Sequence, residues 1–178
     1  MKKAVIFTVL FAIFYTVINF SGIGVTGLLK ITDGANILDF EFGYSEEEAY
    51  DMLTALGEEG REFYLTKIIP LDFPFPVTYM LFYAGWIALL LKHITQSKRF
   101  KYLLLIPVLA ALSDWIENIG IIAMLRSYPD LPPWAAATAS FAGMIKFSLT
   151  ALSIAVIIVL LFVFIYKKSK QRSKQNGA

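Results

Sequence analysis

The chain has 178 residues, 57% of them hydrophobic, and a mean hydropathy of +0.63, which is more apolar than a soluble domain of this size carries. Its formal net charge is only +2 and it contains no cysteine, so thiol catalysis, dithiol redox relays and stabilising disulfides are excluded. What remains is an integral membrane protein.

At a rise of about 1.5 Å per residue, four apolar runs reach across a hydrocarbon core of roughly 30 Å. They cover approximately residues 4–20, 73–91, 102–125 and 134–166. The expected fold is an all-α membrane protein: a four-helix transmembrane bundle within 1–166, with a small helical loop (21–72) between its first two helices. The basic segment 167–178 reads as a disordered tail.

The first run follows Met1-Lys2-Lys3 and ends in NFSGIGVTG, which lacks a small-x-small cleavage site. It reads as an uncleaved signal anchor. Lys and Arg near helix ends are retained on the cytoplasmic side. They precede the first run, fill the link from Lys92 to Lys101, and follow the fourth run from Lys167 to Lys174. Both termini are therefore expected in the cytoplasm, with the chain in the cell membrane. Loop 21–72 holds eleven acids against Lys30, Arg61 and Lys67, which places it outside.

Within that loop, Ser45 and Glu48 form a capping-box pattern, and Ala49, Met52, Leu53 and Leu56 recur at helical spacing before Gly57. A helix is expected from about Glu46 to Leu56. A second is expected over Glu59–Ile69, ended by Pro70. The prolines of LDFPFP then leave Asp72 in irregular backbone near the outer surface. The acidic run EEE reads as a helix cap rather than a calcium loop, and no metal or cofactor is expected. His93, the only histidine, sits among basic residues at a helix end and reads as a solvated surface group. The basic tail has no aromatic residues for stacking, so nucleic-acid binding is not expected. Membrane lipids are the expected partners, the acidic loop is a surface for a protein partner, and a homo-oligomer is left open.

The third run contains LSDWIENIG, with Asp114 and Glu117 inside an oily stretch. A charge at a membrane helix centre costs about 2.5–3.5 kcal/mol, so such groups turn toward other protein groups. The fourth run offers one matching cation, Lys146. Counting the helical rise puts Glu117 about 12 Å inside the outer end of its helix and Lys146 about 18 Å from Trp134. Ala110, Asp114, Glu117 and Ile121 share one stripe, with Asn118 at its edge. Ala139, Ala142, Gly143, Lys146, Thr150 and Ser153 form the facing stripe, whose small residues allow close approach. The expectation is that Lys146 lies between Asp114 and Glu117 in the outer half of the bundle. Two acids and one base leave an uncompensated charge.

Tyr79 and Tyr83 recur at helical spacing on the second run. Turned inward, they wall an apolar pocket with the acids and lysine at its floor, and Asp72 and Asn118 join its lining. D-F-P-F-P, D-W-I-E-N and the lysine of the fourth run together resemble bacterial four-helix integral membrane proteins without an assigned function. That resemblance implies the bundle and transfers no catalytic residue.

No motif names a reaction. The first expectation is a multi-pass membrane protein of structural or interaction type, its buried Asp/Glu/Lys cluster holding the helices in register. The alternative is a membrane-embedded enzyme or binding protein for a lipidic small molecule, with Asp114 or Glu117 handling a proton and Lys146 as electrostatic partner.

Overall fold

In the computed structural model, which describes the backbone of residues 1–176 and side chains through Gln171, the described residues form helices and connecting turns with no strand. Four helical stretches are long and apolar enough to cross a membrane: Lys2–Ile31, Gly57–Ile94, Lys98–Ser127 and Pro133–Gln171. Apolar side chains such as Val5, Ile13, Phe141 and Phe162 face outward, which suits a lipid environment.

Helix α1 (Lys2–Phe20) packs mainly on α6 (Phe75–Ile94). Helix α7 (Leu105–Ser127) follows a 3-10 stretch over Lys98–Leu104 and lies along α8 (Pro133–Asn176), the most extensive helix pair in the protein. Small residues explain that closeness. Ala110 and Ala111 of α7 and Ala135, Ala136, Ala139 and Ala142 of α8 are all buried. Gly120 sits so near α8 that an added Cβ would stand 2.8 Å from the Ala139 methyl and 2.9 Å from the Ala135 carbonyl oxygen. Helix α8 continues without a break to Asn176, so residues 167–176 are helical where a disordered tail was expected. Residues 177 and 178 lie outside the described residues.

The segment between α1 and α6 folds into a cap. Helix α2 (Val25–Ile31) is followed by a 3-10 turn at Leu38–Phe40, α3 (Glu46–Ala55) and α4 (Gly57–Phe63). The Ser45 hydroxyl accepts from the Glu48 N–H at 3.1 Å, and the Ser45 N–H donates to Glu48 Oε2 at 2.7 Å. This reciprocal box satisfies two donors that a helix start otherwise leaves open. The Ser45 backbone and then its hydroxyl also hold the Glu48 carboxyl below its usual range. Gly57 turns the chain from α3 into α4 at φ 65°, a conformation that disfavours residues with a Cβ. Leu28, Leu38, Ala49, Leu53 and Tyr64 of this region pack with Ile121 and Met124 of α7 and with Ala135 and Ala139 of α8. The cap is thus continuous with the bundle core. The Tyr44 N–H, donating 2.9 Å to Ser140 Oγ, ties the loop to α8.

Two sequence expectations change between residues 57 and 76. Pro70 does not end the second loop helix. A π-helical turn over Tyr64–Ile68 leads directly into α5 (Ile69–Asp72), where Pro70 occupies the first turn. In that turn the Ile69 N–H reaches back five residues to the Tyr64 carbonyl, and the donor that proline lacks falls where the register is returning to α-helical. Asp72 is therefore helical and buried rather than in irregular backbone at the surface. The only interruption before α6 is the short turn at 73–74, where the Trp115 indole N–H donates 2.8 Å to the Phe73 carbonyl.

Candidate functional site

The regular phase of α7 puts Asp114 and Glu117 on the side facing α8, and that of α8 returns Lys146 toward them. Lys146 Nζ lies 2.5 Å from Glu117 Oε2 and 3.8 Å from Asp114 Oδ1. The space for Glu117 comes from Gly143, where an added Cβ would stand 2.6 Å from Glu117 Oε1. Lys146 therefore sits between the two acids, in the geometry read from the two stripes.

A third acid joins them that pattern reasoning did not single out. Asp39, in the 3-10 turn of the cap, places Oδ1 3.9 Å from Lys146 Nζ and its backbone carbonyl oxygen 3.4 Å away. The Tyr64 hydroxyl, from the π-helical turn, donates to Asp39 Oδ2. A fourth acid, Asp72, accepts from Asn118 Nδ2 at 2.7 Å. The Tyr79 hydroxyl of α6 donates 2.9 Å to Asp114 Oδ2. The cluster thus draws on the cap, α5, α6, α7 and α8, and no single element holds it.

All four acids are buried, and Glu117 and Asn118 are wholly inaccessible. Their hydrogen bonding is incomplete. Asp39 Oδ1, Asp114 Oδ1, Glu117 Oε1 and Asn118 Oδ1 have no hydrogen-bond partner among the described residues, whereas Glu117 Oε2 meets the Lys146 ammonium, which also supplies charge to Asp39 and Asp114. Leaving buried acceptors unpaired costs about 1–3 kcal/mol each. The Tyr44 hydroxyl beside them is also unpaired; burial first, then the charges of Glu117 and Asp39, push its phenol well above its ordinary value, so it is a neutral group.

Asp39, Asp72, Asp114 and Lys146 form one end of a cavity of about 390 Å³ between α1, α6 and α8. Its walls are Phe11 and Ile18 of α1, Phe75, Tyr79 and Tyr83 of α6, and Phe147 and Thr150 of α8. Tyr15 and Phe40 of its lining are 46% and 49% exposed, whereas Asp114 is 3% exposed. The lining therefore combines half-exposed aromatic residues with buried charged ones. This is the volume and lining of a small-molecule site. Glu117 and Asn118 do not line it. They lie behind the floor, Glu117 locked to Lys146 and Asn118 holding Asp72.

No protein family, curated protein or solved structure matches this chain. One carboxylate oxygen each from Asp39, Asp72 and Asp114 lies within 4.8 Å of the other two, an arrangement able to surround a single cationic centre. The Tyr79–Asp114 pair also places a carboxyl and a hydroxyl where they can hold a proton against a bound molecule.

Among the residues expected to line a pocket, Asp72, Tyr79 and Tyr83 do so and Asn118 acts from one layer behind. Asp39, Tyr64 and the Phe11–Phe75–Phe147 wall were missed. For Asp39 the signal was present: ILDF places an acid within apolar residues of a polar loop.

Proposed function

We propose that this chain is a multi-pass cell-membrane protein that binds a small amphipathic, lipid-derived molecule within its bundle. The observation that carries this reading is the aromatic-walled cavity ending on Asp39, Asp72, Asp114 and Lys146. A purely structural role accounts for the Glu117–Lys146 contact, which pins α7 to α8. It gives no reason for three further buried carboxyl groups around an open volume, since such groups oppose folding unless something satisfies them. The apolar length of the cavity takes the hydrocarbon body of the ligand and the cluster takes its polar end. Access from the bilayer suits the half-exposed rim at Tyr15 and Phe40.

Filling the cavity tests the idea without touching a charge. Thr150→Trp places a large side chain into the wall from α8. Protein purified in a mild detergent should release a discrete lipid-like species near one per chain by mass spectrometry. The variant should retain at least about tenfold less, the equivalent of 1.4 kcal/mol, at an unchanged unfolding midpoint. A wild-type protein that carries nothing discrete, or a variant that carries just as much, refutes the binding role.

The orientation belongs to the same proposal: termini and the 92–101 link inside, cap and cavity mouth toward the outer leaflet, supported by the Lys and Arg distribution. A cysteine introduced near Gly57 should react with a membrane-impermeant reagent on intact cells, while one placed after Lys174 should not. Labelling with the opposite sidedness would overturn this arrangement.

A further inference from the structure

We infer that the polar end of the bound molecule is a protonated amine. The inference rests on the proposed binding role and adds the chemistry of its ligand. Four carboxyl groups, Asp39, Asp72, Asp114 and Glu117, face one ammonium, that of Lys146. Lys146 is drawn to Glu117, which does not line the cavity, at 2.5 Å, and stands 3.8–3.9 Å from Asp114 and Asp39. Among the described residues, no Lys or Arg lies within 4.0 Å of Asp72, whose side-chain partner is the neutral Asn118. The cavity end is thus short of positive charge.

It is also short of donors. Asp39 Oδ1 and Asp114 Oδ1 are buried, unpaired acceptors on residues that line the cavity, so an occupant that satisfies them must bring hydrogens. The spacing fits one nitrogen. The three carboxylate oxygens of Asp39, Asp72 and Asp114 lie within 4.8 Å of one another, so a single nitrogen can stand at about 2.8 Å or less from the farthest of them, within reach of an N⁺–H···O⁻ bond to all three. A primary ammonium has three N–H groups, one for each acid. The aromatic faces of Phe11, Phe75, Tyr79, Tyr83 and Phe147 suit a hydrocarbon chain leading from a cation.

Other head groups fit less well. An anion would meet three carboxyl groups and a lysine already engaged by Glu117. An alcohol brings one hydrogen and no charge. A divalent ion would satisfy the carboxylates but would leave the aromatic length of the cavity without a role.

The test uses the full chain in nanodiscs of phosphatidylcholine, with dodecylamine, dodecanol and dodecyl sulfate as probes and the unfolding midpoint as readout. Dodecylamine should raise the midpoint saturably. Asp72→Asn should weaken its apparent affinity at least about tenfold, and Thr150→Trp should abolish the shift. Asp39→Asn replaces Asp72→Asn if the latter does not fold. Dodecanol stabilising as strongly as the amine, or amine binding unaltered by the Asn variant, would overturn the charge assignment. So would stabilisation by Mg²⁺ or Ca²⁺ alone that the amine does not displace. If dodecanol or dodecyl sulfate binds in a Thr150→Trp-sensitive way and the amine does not, the cavity remains a lipid site and only the amine is wrong. If no probe binds and no lipid co-purifies, the binding role fails with it.

Discussion

Lys146→Met should lower the stability of the protein by about 3–5 kcal/mol, because removing one member of a buried ion pair strands the other. The stranded group is chiefly Glu117, wholly inaccessible and 2.5 Å from the ammonium. Asp114 and Asp39 lose the same counter-charge at 3.8 and 3.9 Å. Denaturation in mixed micelles, titrated with sodium dodecyl sulfate, measures the change. The triple variant Asp114→Leu/Glu117→Met/Lys146→Met should recover much of the loss, since fewer orphan charges remain and the apolar replacements pack in their place. Its ligand content separates the two roles of the cluster. A stable triple variant that retains no lipid supports division of labour between a staple and a site; one that retains its full complement confines the cluster to holding helices. A single Lys146→Met variant as stable as the wild type would show that the lysine is not the counter-charge of these acids.

Gly120→Ala should cost about 1–3 kcal/mol, the usual effect of overpacking a tight contact. The new methyl would stand 2.8 Å from the Ala139 methyl and 2.9 Å from a backbone oxygen of α8, neither of which can swing aside. The helices must part. Since Glu117 lies one turn from Gly120 and meets Lys146 across the same seam, separation should also loosen the ion pair. Gly22→Ala, with nothing within 4 Å of its added Cβ, is the control and should be close to neutral. Equal stability of the two variants would mean that α7 and α8 are less tightly apposed at Gly120 than the geometry states.

How much of this could be read from residues alone follows from the kind of structure each residue occupies. The four long helices were legible because crossing hydrocarbon requires an uninterrupted apolar length, and length is countable. The facing of Asp114 and Glu117 toward Lys146 was legible because all three stand on regular helices, where position fixes azimuth. Asp39 was legible only as an acid among apolar residues in ILDF; its direction was not, because it stands in a 3-10 turn within a loop that has no period to carry one. Asp72 was misplaced for a different reason. Three prolines within seven residues read as broken backbone, while the chain places Pro74 and Pro76 at the start of α6, where a missing N–H costs nothing, and Pro70 just after the π-helical turn, where the register is returning to α-helical. The aromatic wall depends on how α1 and α8 stand about α6, which no single-helix pattern contains.

The π-helical turn at Tyr64–Ile68 acts as a phase setting for everything before it. A π turn accommodates one more residue than an α turn, and each α-helical residue advances the azimuth by about 100°. Tyr64, which holds Asp39, lies at one end of the turn, and Asp72 lies four residues beyond the other. The extra residue therefore fixes the angle between the cap-bound acid Asp39 and the α5 acid Asp72. Shortening the segment by one residue would leave both acids in the sequence and the helix unbroken, yet point Asp39 and Asp72 to different sides of the bundle. The composition of the site can thus be kept while its convergence is lost, and one residue of length decides which.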